Sequence, residues 1–275
     1  MNTQQFFSKA VAGDGFRPKK QWEPLIPIPM KFQESFDKYK GYFDEHIATS
    51  IPLYREMQLI TGQAIVDLYG EFQAAYVVDI AGSEGTWVKA ITDSSEIVSA
   101  VVDCNNEMKE AFYNNYNYPD YSCFLLESFL EPYEDIEKHI PRFKADVVHA
   151  GMAFQFMPFS REACIKEVAD NYIKDRGLFL IEEKVITNNW GFNEEYKDSF
   201  KSTYYSKDEM ELKNEEVVKG MNDKLILQTE LENILRGHFN HIYQYYDAGN
   251  FVGYACSNYE YIINNFKERV GVIKY

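Results

Sequence analysis

The stretch VVDIAGSEGTW, Val77–Trp87, decides how this chain is read. Two β-branched residues run into Asp79, a small-residue turn with Gly82 and Gly85 follows, and TWVKAIT then resumes a helical pattern. Val and Ile suit a pleated, buried strand, and glycine lets a backbone turn sharply and approach a ligand closely. The stretch therefore predicts strand, turn, helix. The same order recurs downstream. EIVSAVVD is an apolar strand ending in Asp103, and EMKEAFYNNY is helical. SCFLLES is a candidate third strand and ADVVHAG begins a fourth. SREACIKEVADNYIK is an amphipathic helix, and RGLFLIEEKV is a fifth strand after a turn at Gly177. Strands alternating with helices predict an α/β fold with a doubly wound, mainly parallel sheet. HFNHIYQYYDAGNFVGYACS adds two β-rich runs around DAGN, the pattern of an antiparallel hairpin. The expectation is a seven-stranded Rossmann-like sheet that closes on this C-terminal hairpin.

The flanking segments are of different character. Residues 1–32 are polar, then Pro-rich at PLIPIP, and read as an N-terminal arm before a domain spanning 33–275. From about Gln33 to Phe72 the pattern is helical. Ser50 is the expected N-cap of its second helix, with Pro52 just inside. Leu53, Met57, Ile60, Ile65, Leu68 and Tyr69 approximate its apolar face. Residues 193–236 form a charged helical insertion, read as a lid. Its Glu-rich run, Glu209 to Glu216, reads as a solvated face.

Composition excludes several function classes. The net charge of -15 disfavours phosphate backbones, so no direct nucleic-acid binding is expected. The four cysteines are far apart and form no CxxC, and the five histidines form no HExxH, so neither a metal site nor a disulfide framework is expected. No apolar run has membrane-spanning length, and no charged start precedes an apolar stretch. These features read as an acidic, reduced, cytoplasmic protein without a membrane role.

In an open α/β sheet, ligands sit beyond the carboxyl ends of the strands where the strand order reverses. Asp79 and Asp103 end two successive strands around the Gly82 turn. A carboxylate at the end of the second strand can accept both hydroxyls of a ribose. The dinucleotide fingerprint G-x-G-x-x-G is not met, and Glu84 inside the turn repels a pyrophosphate. S-adenosyl-L-methionine (SAM) has a ribose, no phosphate, and a cationic amino-acid end that nearby carboxylates favour.

The order of segments resembles class I SAM-dependent methyltransferases, and more narrowly carboxy-S-adenosylmethionine synthases, which make a modified SAM for tRNA wobble-uridine modification. The likeness runs from about Phe43 to Cys256. YFDEHIATSIPLY resembles that family's pre-sheet helix with its S-x-P-x-Y element, VVDIAGSEGT its glycine loop, and VVDCNNEM its I-D-N-S-P-A-M segment. MAFQFMP, LFLIEEKV and DSFKSTYYSKDEM resemble its T-L-Q-F-L-E-P segment, its L-V-L-S-E-K-F strand and its lid helix. The resemblance implies Tyr54 near the amino-acid end of SAM and Ala81, Gly82 and Ser83 along the loop. It implies Asp103 on the ribose, Cys104 beside the adenine, and the backbone around Glu127 and Ser128 near the base. Gly151 falls where the family has a ligand-contacting asparagine, and Asn214 where it has the arginine that holds the extra carboxylate. Neutral Asn cannot replace the paired, charge-assisted bonds of an Arg fork. The family likeness also suggests a homodimer.

Other residues have structural readings beside functional ones. Trp87 reads as packing under the loop, Tyr54 as core or ligand contact, and Asp79 as loop cap or ligand contact. His149, inside an apolar strand, reads as a satisfied buried histidine. Tyr204 and Tyr205 pack the lid or, with Asn214, face substrate. Glu182 to Lys184 form a strand-end polar cluster near the cleft. Tyr205 and Lys184 are the catalytic candidates. The leading expectation is methyl transfer from SAM to an unidentified acceptor. The alternatives are a carboxy-SAM synthase with an altered carboxylate site and a non-catalytic scaffold of methyltransferase fold.

Overall fold

In the computed structural model, seven strands among the described residues form one sheet in the order β2-β1-β3-β4-β6-β5-β7. The residues described are 43–70, 75–92, 97–103, 108, 110–112, 144–157, 159–213 and 225–274. The strands are β1 (Tyr76–Ile80), β2 (Val98–Val102), β3 (Ala145–Gly151), β4 (Ile173–Lys184), β5 (His241–Ala248), β6 (Phe251–Ser257) and β7 (Ile273–Lys274). β1 pairs in parallel with β2 and β3, and β3 with β4. β6 runs antiparallel to both β4 and β5, with the hairpin turn at Gly249. The candidate third strand SCFLLES and the arm at 1–32 lie outside the described residues, as do Cys104, Ser128 and Asn214.

Helices cover both faces, which is why the central strands are apolar on both sides. On one face pack α2 (Tyr54–Tyr69), α3 (Thr86–Thr92) and α8 (Glu260–Val270), through Met57, Ile65, Trp87, Ile91 and Phe266. On the other pack α4 (Arg161–Glu167) and α7 (Gln228–His238), through Cys164, Ile165, Leu231 and Leu235. Side chains alternate along each strand, so Tyr76, Val78 and Ile80 face α4 and α7 while Val77 faces α2 and α3. The same alternation sends Asp79, His149 and Glu182 to the α2/α3 face. α1 (Phe43–Ala48) precedes this layer, and α5 (Trp190–Lys201) and α6 (Lys207–Lys213) follow β4. Among the described residues no helix is long and apolar enough to cross a membrane.

Local details differ from the sequence reading in four places. Ser50 is not the N-cap of α2: its hydroxyl donates to the His46 carbonyl at 2.7 Å, and α2 begins at Tyr54 behind Leu53, which is left-handed at φ 60°. A serine bound back to α1 cannot also satisfy the first amides of α2. Ile60 lies on the outer side of α2, where the buried stripe takes Gln58, Thr61 and Ala64 instead. Gly177 lies inside β4, not in a turn before it. The β3–β4 register shifts there from Ala145↔Ile173 to Val147↔Leu178, and a Cβ at 177 would stand 2.3 Å from Ile173 Cγ1. The C-terminal part of the 193–236 segment is core rather than cover, because α7 buries Leu231 and Leu235 against the sheet. At α4, by contrast, Ser160 is a true N-cap, accepting from the Ala163 amide at 3.1 Å.

Candidate binding site

β1 lies between β2 and β3, so the chain leaves β1 toward one side and later returns on the other. At that switch point, beyond the carboxyl ends of β1, β2 and β3, lies a cavity. Tyr54, Asp79, Ala81, Gly82, Ser83, Asp103 and Gly151 all line it. So do Phe43, Asp44 and Ile47 from α1, Trp87 from α3 and His149 from β3. Ala81 donates its amide to the Val102 carbonyl at 2.6 Å, tying the turn to β2. The Ser83 amide donates to Asp103 Oδ2 at 2.9 Å, so the two strand-end segments are joined at the cavity. A Cβ at position 82 would lie 2.4 Å from Asp79 Oδ2, which explains the glycine. Ala81, Ser83 and Met152 hold left-handed backbones at φ 55°, 49° and 53°. Non-glycine residues seldom adopt that region, and such strain clusters at ligand sites.

Beneath the turn runs a string of buried polar side chains. His149 Nδ1 lies 2.6 Å from Asp79 Oδ1 and its Nε2 lies 2.9 Å from Glu182 Oε2. The Tyr245 hydroxyl donates to Glu182 Oε1. All four residues are at most 2% exposed. Asp79 and His149 are register partners across β1 and β3, which brings them to one height on one face. Glu182 pairs with Gly151 on one side and Gly253 on the other, so neither neighbouring strand crowds it. Tyr245 occupies the register shift between Gln244 and Tyr246, a bulge that re-aims side chains inward. Trp87 stacks on the imidazole at 4.1 Å, its indole Nε1 donating to Thr61 Oγ1 at 3.0 Å. Burial opposes a charge on His149, but the carboxylates of Glu182 and Asp79 outweigh it and raise its pKa to about 10. At neutral pH the ring is an imidazolium that donates at both ends. Burial raises the Asp79 pKa, and His149 pulls it back. His149 is thus a satisfied buried histidine, as the sequence suggests, yet it also borders the cavity. Nothing in the sequence alone points to its pairing with Glu182.

Gln58 and Tyr54 of α2 also line the cavity, and Gln58 Nε2 donates to the Tyr54 hydroxyl at 3.1 Å. Burial raises the Tyr54 pKa well above its ordinary value, reinforced by Asp44, Asp79 and Glu182, so Tyr54 stays a neutral donor. Burial also raises the Asp44 pKa, against the pull of Arg55. The cavity is acidic: Asp44, Asp79, Glu84 and Asp103 line it, and none of its described lining residues is Lys or Arg.

The two catalytic candidates fare differently. Lys184 lies outside the cavity lining. It is 1% exposed and is covered by α5, with Nζ 3.0 Å from Glu194 Oε1 and 5.0 Å from the Trp190 ring centre. Burial, with Lys197 nearby, lowers its pKa to about 8 against the pull of Glu194. Its position two residues past Glu182 puts it on the same face but farther along the strand. Tyr205 also does not line the cavity; it contacts α1 and the residue that follows it. Its hydroxyl bonds Thr49 Oγ1 just after α1, and its ring meets His46 edge-on at 6.5 Å. Tyr204 is 57% exposed and packs edge-on against Phe200 at 5.4 Å.

No family model matches the chain. Carboxy-S-adenosyl-L-methionine synthase from Nautilia profundicola is 28% identical over 215 residues, covering 75% of this chain and 85% of that protein. A Methanococcus maripaludis structure described as a SAM-dependent methyltransferase aligns with a TM-score of 0.52 at 19% identity, over 90% of this chain and 98% of that one. The plantazolicin methyltransferase BpumL, solved with a monoazolic desmethylPZN analogue and SAH, aligns with a TM-score of 0.52 at 11% identity over 94% of this chain and 99% of that one. Human N-acetylserotonin methyltransferase, solved with SAM, aligns with a TM-score of 0.50 at 11% identity, over 93% of this chain and 66% of that one. The shared feature is the fold.

Proposed function

From the premise that this chain has the class I SAM-dependent methyltransferase fold, we propose that it binds SAM in the β1–β3 cavity and transfers a methyl group to an acceptor still to be identified. The observation that carries the reading is Asp103, held by the Ser83 amide at the mouth of the Gly82 turn. The cavity's residues fit the ligand's chemistry. A carboxylate at the end of β2 accepts ribose hydroxyls, and the acidic lining favours a cationic sulfonium and ammonium. Met108, Phe156 and Met157 offer apolar surface for a base. SAM supplies the activated methyl and its own leaving group, so the protein's part is to bind, align and exclude water. Gly82 allows close approach, Asp79 and Tyr54 offer polar contacts to the amino-acid end, and α1 borders the cavity. The segment 190–213 is the lid in this reading, tethered through Tyr205 to the α1–α2 connection.

Calorimetric titration with SAM and S-adenosylhomocysteine tests the proposal. Asp103→Ala should weaken binding by about 1.5–3 kcal/mol if it removes charge-assisted ribose bonds. Matching titrations for wild type and variant would sink the assignment. The Nautilia profundicola relative favours a second reading, carboxy-SAM formation. That chemistry handles an anionic carboxylate donor, which a cavity lined by four carboxylates and no described Lys or Arg disfavours. Mass spectrometry of products from SAM with prephenate separates the two: methyl transfer predicts no carboxylated SAM.

A further inference from the structure

The Asp79–His149–Glu182–Tyr245 string borders the cavity, and of its members only Asp79 has a role in the reading above. It is built with some precision of space. A Cβ at Gly151 would stand 2.8 Å from His149 Cε1, and one at Gly253 would stand 3.1 Å from Tyr245 Cζ and 3.2 Å from Glu182 Cγ. With Gly82 against Asp79, three glycines on three segments clear room for all four of its members. A purely apolar core would need none of this, and buried charges cost several kcal/mol each unless paired. Of the string, only Asp79 and His149 reach the cavity. The other end is sealed under the sheet's helical layer.

We propose that His149 is a positioning residue for the cationic ligand of this cavity: gripped by Glu182, it keeps the Asp79 carboxylate charged and fixed beneath the Gly82 turn. The inference rests on the SAM reading for the ligand's identity. The physical logic is local. Asp79 is fully enclosed, and an enclosed carboxyl without a cation takes up a proton. His149 supplies that cation, and Glu182 holds the proton on His149. The groups that face the string from each packed element are few. Glu182 of β4 acts on Asp79, Asp79 in turn acts on Tyr54 of α2, and Trp87 of α3 stacks on His149. Tyr245 and Tyr246 of β5 face Glu182, and burial keeps both hydroxyls neutral. Among the described residues, Asp44, Glu84 and Asp103 are the further carboxyl groups lining the same cavity.

Two measurements test this on the full chain. The first needs no ligand. In protein labelled with 15N-histidine, the His149 signal, assigned by its loss in His149→Gln, should show a doubly protonated ring from pH 6 to 8. A neutral ring at pH 7 would overturn the proposal. The second is the affinity for S-adenosylhomocysteine between pH 6 and pH 8. Wild-type affinity should be flat. In His149→Gln, Asp79 loses its cation and its pKa rises further, so affinity should fall as pH drops, approaching about tenfold per pH unit below the new carboxyl pKa. Glu182→Gln, which keeps the shape of the site, should show a weaker form of the same slope. Variant curves that run parallel to wild type, merely offset, would mean that His149 acts only structurally and would overturn the proposal. Should His149→Gln fail to fold, the His149 signal is assigned instead by its shift in Glu182→Gln, and the wild-type spectrum and the Glu182→Gln slope decide. A wild type that binds no S-adenosylhomocysteine would instead refute the SAM reading beneath the proposal, whereas the histidine spectrum would still report whether the grip on His149 is real.

Discussion

Gly151→Ala places one methyl group against the tightest part of the site. The new Cβ would lie 2.8 Å from His149 Cε1, 3.0 Å from its Nε2 and 3.3 Å from Glu182 Oε2. Ordinary contact begins near 3.4 Å, so the ring must retreat by about 0.6 Å to relieve the shortest approach. It has little freedom to do so. Asp79 holds one nitrogen at 2.6 Å, Glu182 holds the other at 2.9 Å, and Trp87 covers a face. Overpacking of this kind costs about 1–3 kcal/mol. Stretching a charge-assisted buried hydrogen bond adds about 1 kcal/mol or more. Against this, Ala restricts the unfolded chain and returns about 0.4–1 kcal/mol, because Gly151 is not among the left-handed glycines. The expected net loss is roughly 1–3.5 kcal/mol, read as a lower urea midpoint at unchanged slope. The His149 signal should move in the same variant. A midpoint within about 0.5 kcal/mol of wild type would refute the claim that position 151 is glycine to make room for the string.

Three further outcomes are expected. His149 has a folded pKa of about 10 against an unfolded value of 6.5, so its contribution to stability is full below pH 6.5 and is lost as pH rises toward 10; urea midpoints across that range should fall for wild type and fall less for His149→Gln, and equal slopes would refute the shifted pKa. Tyr205→Phe removes the hydroxyl bonded to Thr49, so hydrogen exchange over 43–49 and 202–210 should quicken, and unchanged exchange would show that the contact does not tether the segment. Ser160→Ala removes the side-chain acceptor at the start of α4 and should cost about 0.5–2 kcal/mol, measured by urea denaturation with ligand affinity unchanged.

Much of the architecture is written in local pattern. Alternating apolar strands and amphipathic helices suffice to predict the doubly wound sheet, because burial on both faces demands β-branched runs and helices need one apolar stripe. The pairing of Asp79 with Asp103 around Gly82 is legible for the same reason: strand ends and glycine turns are short-range features. The ends of elements are less so. Ser50 has the chemistry of a cap but spends its hydroxyl on α1, and the helix starts behind a left-handed Leu53. Lys184 sits beside the polar strand end in sequence, yet α5 folds over it and its charge is spent on Glu194. What the tertiary structure alone decides is the buried string. Asp79 and His149 are 70 positions apart, His149 and Glu182 33, and Glu182 and Tyr245 63. They meet because parallel register aligns three strand ends on one face, a bulge turns Tyr245 inward, and Gly151 and Gly253 leave the space between. No sequence window of helical or strand period spans those separations, so the charge that borders the cavity becomes visible only once the strands are laid side by side.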